Sequence, residues 1–236
     1  MQFNPDQIVW WQYGPFKLTA TLAFTWVVMA LLVLGSWLAT RRLEPTVRPG
    51  RWQNFLEALV EVIRGQIREV THQDPDQYLW FVGTLFLFIA LANLLAPVPG
   101  YLPPTASLST TTALALCVFI AVPWFGIREV GLKPYLRQYL QPHPLMLPFN
   151  VIGEFSRTLA LAVRLYGNLM SGAVIGAVLI TLVPFFFPVV MQLLGLLTGF
   201  IQAYIFAILA LVYIASACQV QQERLARLQS QKESSS

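Results

Sequence analysis

Arg164 is the one formal charge between Thr158 and Gln222, within the run Ser156-Arg-Thr-Leu-Ala-Leu-Ala-Val-Arg-Leu-Tyr-Gly-Asn168. It stands midway between Leu145 and Pro184, which bracket the apolar stretch around it. A guanidinium at the centre of a bilayer costs about 2.5–3.5 kcal/mol on insertion scales. With a pKa above ~12 it cannot shed its proton to escape that cost. Such a group is neither nucleophile nor general base, so its chemistry is the attraction of an anion. On a helix, Arg157, Leu161, Arg164, Asn168 and Ser171 fall on one stripe at steps of three or four. Glu154 lies three residues before Arg157 and can pair with it, which leaves Arg164 without an internal counter-ion. A second stripe, Gly195, Thr198, Gly199 and Gln202, places Gln202 to hydrogen-bond Arg164 across a helical hairpin. The competing reading makes Asn168, Thr198 and Gln202 interhelical glue at ~0.6 kcal/mol each. Arg164 fits that reading badly, since its natural partner is a carboxylate on another subunit. At ~4 Å and an effective dielectric of 20 that attraction is about 4 kcal/mol, strong enough to keep an acid ionised and weak enough to release it.

The elements that position these residues belong in a membrane. Apolar residues are 56% of the chain and charged residues only 11%, against about 25% charged in soluble domains. The net charge of +4 is spread over loops without a basic aromatic patch, which excludes nucleic acid. Cys117 and Cys218 lie far apart in apolar segments and read as small buried residues. His72 and His143 are loop residues, and no metal site is expected. No Ser/His/Asp set or His-x-x-Glu-His motif points to a hydrolase. Met1–Phe16 lacks the pattern of a cleavable signal peptide, and its Trp10, Trp11 and Tyr13 read as an interfacial aromatic belt.

An all-α integral membrane protein follows, one membrane domain over residues 1–236 with about five passages. An outside segment (1–17) precedes the first passage (18–40), and the second and third occupy 78–125 (Tyr78–Leu95, then about Thr110–Phe125). The fourth (about Phe149–Val183) and fifth (about Phe185–Ala217) each exceed thirty residues. Either would be ~50 Å long against ~30 Å of hydrocarbon, so both should tilt steeply. Pro184-Phe-Phe-Phe-Pro188 joins them into a hairpin across 149–217. Between the first two passages, over 51–71, Trp52, Phe55, Leu56, Leu59, Val60, Ile63, Ile67 and Val70 recur at helical spacing. They predict an amphipathic helix on the cytoplasmic face, with a soluble partner as the competing cover. Basic residues follow passages one, three and five, while loops 96–109 and 184–188 carry no charge. The N-terminus is thus expected outside and the C-terminus cytoplasmic. The tail, 223–236, ends in a Ser/Gln/Lys stretch from Gln229 that reads as disordered.

The run Ala162-Val163-Arg164-Leu165-Tyr166-Gly167-Asn168-Leu169, with the later Ile201-Gln-Ala-Tyr-Ile-Phe206, resembles subunit a of F-type ATP synthases. Leu91-Ala-Asn-Leu-Leu95 and Pro148-Phe-Asn-Val-Ile-Gly-Glu-Phe-Ser156 add to the likeness, which covers roughly residues 78–218. The resemblance implies the stator of the membrane sector, with two aqueous half-channels flanking a rotating c-subunit ring. It implies further partners in subunit b of the peripheral stalk and the rest of the synthase, and no cofactor. The implied location is the cell inner (plasma) membrane or a thylakoid-type membrane. Arg164 would be the stator arginine, an ion-translocation gate, with Asn168 and Gln202 its polar companions. Glu154 would sit near the cytoplasmic half-channel and Asn93 near the outer one. Two positions depart from the family pattern. Where many members carry an acid nine residues after the arginine stands Ala173, and where histidine or glutamate often faces it stands Gly195. The outer path must then use other groups, with Asn93, Ser107, Ser109 and Thr110 as candidates. H+ is the expected coupling ion and Na+ the alternative, because hydroxyl and carbonyl oxygens suit a hard cation. A self-contained secondary transporter fits less well, lacking inverted repeats and an intramembrane acid of its own.

Overall fold

The computed structural model describes residues 9–13, 16–40, 51–71, 74–98, 100–132, 146–182 and 187–233. Six α-helices are present among them: α1 (Ala20–Thr40), α2 (Arg51–Thr71), α3 (Asp76–Leu94), α4 (Leu108–Val130), α5 (Met146–Leu182) and α6 (Phe187–Glu233). Five carry stretches long and apolar enough to cross a membrane: Ala20–Leu38, Asp76–Leu94, Leu108–Arg128, Pro148–Leu179 and Val189–Ser216. The all-α membrane architecture holds, with one small addition at the N-terminus. There β1 (Val9–Tyr13) and β2 (Phe16–Thr19) pair antiparallel, with Gln12 opposite Lys17 and Tyr13 opposite Phe16. Valine, tryptophan and tyrosine favour an extended backbone, so the first helix starts at Ala20 and not at Leu18.

The core is a four-helix contact. Helix α3 lies against α6, and α4 against α5 and α6. Tyr78, Ile89, Val118, Phe125, Leu161, Leu165, Phe206 and Leu211 are all buried in it. Tyr78 meets Phe125 at 5.2 Å between ring centroids, and Phe86 meets Phe200 edge-on at 5.6 Å. Helix α1 is peripheral, and Trp26, Met29, Val33 and Trp37 remain exposed along it. Its link to the bundle includes Phe24, whose ring meets Tyr101 of the loop after α3 edge-on at 5.0 Å. Burial pushes the Tyr101 phenol above its ordinary range, so it stays neutral.

Two elements outgrow their sequence-based limits. Helix α4 extends beyond Thr110–Phe125 at both ends and carries Pro123 inside it. It stops at Gly131, whose φ of 91° and N–H bond to Ile127 O at 2.8 Å form a terminus suited to glycine. Helix α6 runs 47 residues, so the Gln229–Ser236 tail is helical as far as Glu233 where disorder was expected. Gln229, Gln231, Lys232 and Glu233 are good helix formers, and so are the Glu, Arg, Leu and Ala residues of 223–228 that lead into them. Residues 183–186, where the sequence predicts the turn of the hairpin, lie outside the described residues, as do His72 and His143. Cys117 is exposed and not buried as expected, because α4 turns that face away from the bundle.

Helix α2 forms as its periodicity predicts. Ile67 is buried, with Leu59, Ile63 and Val70 packed on the same core, while Glu57, Glu61, Arg68 and Glu69 are exposed. Val60, assigned to the apolar stripe, is 39% exposed and lies at its edge. The helix is tied down at two points. Tyr204 Oη of α6 donates to Gln66 Oε1 at 2.6 Å, and Arg64 pairs with Asp76 at 2.9 Å.

Candidate functional site

Helix α5 turns Arg164 outward. Leu161, Ala162 and Leu165 are buried behind it, whereas Val163 and Arg164 are exposed. The exposed set is Arg157, Arg164 and Ser171, spaced seven residues apart, or two helical turns. Leu161 therefore leaves the stripe assigned to it and joins the buried core, since a step of seven tracks one face more closely than alternating threes and fours. The exposed side chains that precede Arg164 along α5 are apolar, among them Phe155, Leu159 and Val163. Among the described residues Arg164 makes no hydrogen bond and no ion pair. It is a permanent cation on an apolar, outward surface.

Neither neighbour expected to serve Arg164 or Arg157 does so in this chain alone. Gln202 is buried, and its Nε2 has no hydrogen-bond partner. The bond expected from Gln202 to Arg164 is not formed, because α6 turns Gln202 toward the bundle while α5 turns Arg164 away from it. Arg157 was expected to pair with Glu154 and lies instead over the ring of Tyr213, 5.7 Å from its centroid, a favourable cation–π distance. Glu154 is half-buried, ten residues before Arg164 or about 15 Å along the helix. Thr158 Oγ1 donates to its backbone carbonyl at 3.0 Å.

Beyond Arg164 in the other direction lies a cavity of about 470 Å³, between the Ala96–Ala106 loop and the facing stretches of α5 and α6. Its polar lining comes from Asn93, Asn168, Ser171, Gln192 and Thr198, and Ala173 and Gly195 also line it. No lining side chain is titratable. A Cβ built on Gly195 meets nothing within 4 Å, so that position opens into the cavity. Asn93 and Asn168 thus share this wall, although Asn168 was expected beside Arg164 and Gln202, while Glu154, Arg164 and Gln202 are not on it. Ser107, Ser109 and Thr110 lie at the start of α4 behind it. Ser107 is fully buried, and its hydroxyl contacts that of Ser109 at 2.6 Å.

The cavity wall is fixed by hydrogen bonds between elements. Asn93 Nδ2 donates to Gly199 O at 2.9 Å, and Thr105 Oγ1 donates to Asn93 Oδ1 at 2.9 Å. Asn168 Nδ2 reaches Thr198 O at 3.5 Å, joining α5 to α6. Two members of this site were missed from sequence, Gln192 and the clamp formed by Thr105. Gln192 had a readable signal, since Gln192, Gly195, Gly199 and Gln202 continue one stripe at steps of three and four. The Thr105–Asn93 bond had none, because it depends on the path of the loop between α3 and α4.

The sequence profile of the family described as ATP synthase A chain matches residues 22–215. ATP synthase subunit a 2 of Acaryochloris marina is 62% identical over 222 residues, covering 94% of this chain and 95% of that protein. ATP synthase subunit a of Albidiferax ferrireducens is 59% identical over 217 residues, covering 92% and 94%. ATP synthase subunit a 2 of a Picosynechococcus species is 61% identical over 224 residues, covering 95% and 96%.

Proposed function

The chain belongs to the ATP synthase A chain family, a multi-pass stator component of the membrane sector, and on that premise we propose that it is the ion channel working against a c-subunit ring. The observation that carries the proposal is the placement of Arg164. It is exposed and without a counter-ion among the described residues, with the cavity on one side of it along α5 and Glu154 on the other. A rotor carboxylate facing lipid must be neutral, because a bare charge there is too costly. An ion entering through the cavity past Asn93 and Asn168, with Ser107, Ser109 and Thr110 behind, neutralises one rotor carboxylate. Rotation carries that site through lipid to the half-channel near Glu154, where the ion leaves. The ionised carboxylate then passes Arg164, which stabilises it and blocks direct passage between the half-channels. Gln202 supports this gate from behind. The potential supplies ~2.3 kcal/mol per charge per 100 mV.

The cavity faces outward and Glu154 lies toward the cytoplasm, as the distribution of basic residues supports. Subunit b holds the chain against rotor torque, in the cell inner (plasma) membrane or a thylakoid-type membrane. The coupling ion is H+, carried to the rotor by water. A second reading takes Na+, favoured by one observation: the cavity wall offers amide and hydroxyl oxygens and no titratable group. Arg164→Ala tests the shared core of both. ATP synthesis in inverted vesicles should disappear while the complex still assembles, and synthesis near the wild-type rate would sink the proposal. Imposing a pH gradient and a Na+ gradient in separate runs decides the ion.

A further inference from the structure

The geometry points to Gln192 as a selectivity-determining residue of the outer half-channel, whose side-chain amide takes over the contact with the entering ion that positions 173 and 195 do not offer. This rests on the cavity being that half-channel. Every other polar group on the wall is at least partly committed. Asn93 has both amide ends bonded, to Gly199 O and to Thr105 Oγ1. Ser171 donates to Asn168 O at 3.1 Å, and Thr198 to Leu194 O at 2.9 Å and Gly195 O at 3.2 Å. Asn168 spends its Nδ2 on Thr198 O. Gln192 is exposed and, among the described residues, its side chain makes no hydrogen bond.

Its place on α6 gives that free amide a task. Gly195 stands one turn further along the same face, and the space a side chain would fill there is open. Across the cavity Ala173 presents a single methyl group. Gln192 therefore lines the same cavity as Ser171 and Asn168, one turn from the open space at Gly195. An amide does not titrate in the working pH range, so Gln192 cannot hand a proton on. What it can do is accept from hydrating water or ligate a hard cation through Oε1, and orient water through Nε2. The ligand is a hydrated cation, H3O+ or Na+, bound in transit and never covalently.

The test uses the intact synthase in inverted vesicles, with ATP synthesis driven by an imposed pH gradient and, separately, by an imposed Na+ gradient. Gln192→Leu keeps the size and removes the amide. With the gradient that drives the wild type, it should raise the half-saturating ion concentration at least fivefold with a smaller change in maximal rate. Gln192→Asn should recover part of that loss. Gln192→Glu should work and acquire a new pH-dependent limb between about pH 4 and 7, where a carboxyl in a partly apolar cavity titrates. An unchanged half-saturating concentration in Gln192→Leu overturns the inference, as does a fall in maximal rate alone. If Gln192→Leu fails to assemble, the Asn and Glu variants decide: wild-type half-saturation in the first and no new pH limb in the second overturn it. Arg164→Ala in the same vesicles separates the two claims. Lost coupling there with a neutral Gln192→Leu leaves the half-channel reading standing and removes only the role of Gln192.

Discussion

Asn93 and Gly199 touch because one of them has no side chain. The Asn93 amide reaches Gly199 O at 2.9 Å, and a Cβ built on Gly199 would meet Asn93 Cβ at 2.9 Å and Cγ at 3.2 Å. Helix α3 can approach α6 this closely only at glycine. Gly199→Ala should therefore push the helices apart and cost about 1–3 kcal/mol, the usual range for overpacking. Gly195→Ala, whose Cβ meets no atom within 4 Å, is the matched control. The thermal midpoint of the purified chain in detergent should fall for Gly199→Ala and stay close to wild type for Gly195→Ala.

Charge alone does not define Arg164. Arg164→Lys keeps a cation at rest, loses the planar fork, and can deprotonate once desolvated against a rotor. Coupled synthesis should fall at least tenfold, which in transition-state terms is about 1.4 kcal/mol. ATP hydrolysis by detached, water-soluble catalytic sectors should be unaffected. A lysine variant as active as the wild type contradicts the role of the fork.

The face of α5 proposed to meet the rotor can be mapped by cross-linking. Cysteines at Ser171 and Ile175, both exposed, should form disulfides with cysteines on the adjoining rotor helix in intact membranes. Cysteines at Leu161 and Leu165, both buried against the bundle, should not. The background must lack Cys117 and Cys218. Cross-links confined to the two buried positions contradict the assigned orientation.

Helix α2 is held to α6 by the 2.6 Å bond from Tyr204 to Gln66. Tyr204→Phe keeps the ring and removes the donor, at a cost of about 0.5–1.5 kcal/mol. Amide hydrogen exchange over Glu57–Thr71 should accelerate while the core of α3 stays protected. Unchanged exchange in α2 shows that its apolar face alone holds it in place.

The hairpin helices should lie far from the membrane normal. Their apolar spans are 32 and 28 residues, ~48 and ~42 Å long against ~30 Å of hydrocarbon. Oriented-bilayer spectroscopy on labelled α5 and α6 should return a large tilt for both, and upright spans of about twenty residues contradict it.

The amino-acid sequence determined the class of this protein, because its signals are local and large. Five long apolar runs cannot be folded away in water, and the periodicity around Ile63 and Ile67 marks α2 as a one-faced helix. An arginine alone in such a run marks the candidate site, and the motifs around Arg164 and Gln202 carry the likeness to the family. The tertiary structure decided which way each of these residues points. Stepping along α5 by threes and fours put Leu161 beside Arg164, yet packing into the helical core buries the leucine and leaves the arginine outside. Gln202 and Arg164 sit on facing helices and do not meet, since the roll of each helix about its axis is set by its neighbours. The clamp of Thr105, Asn93 and Gly199 joins residues from three elements across a loop of irregular path. Side-chain spacing within one helix carries no record of such a contact, because its geometry comes from how separate helices close on one another.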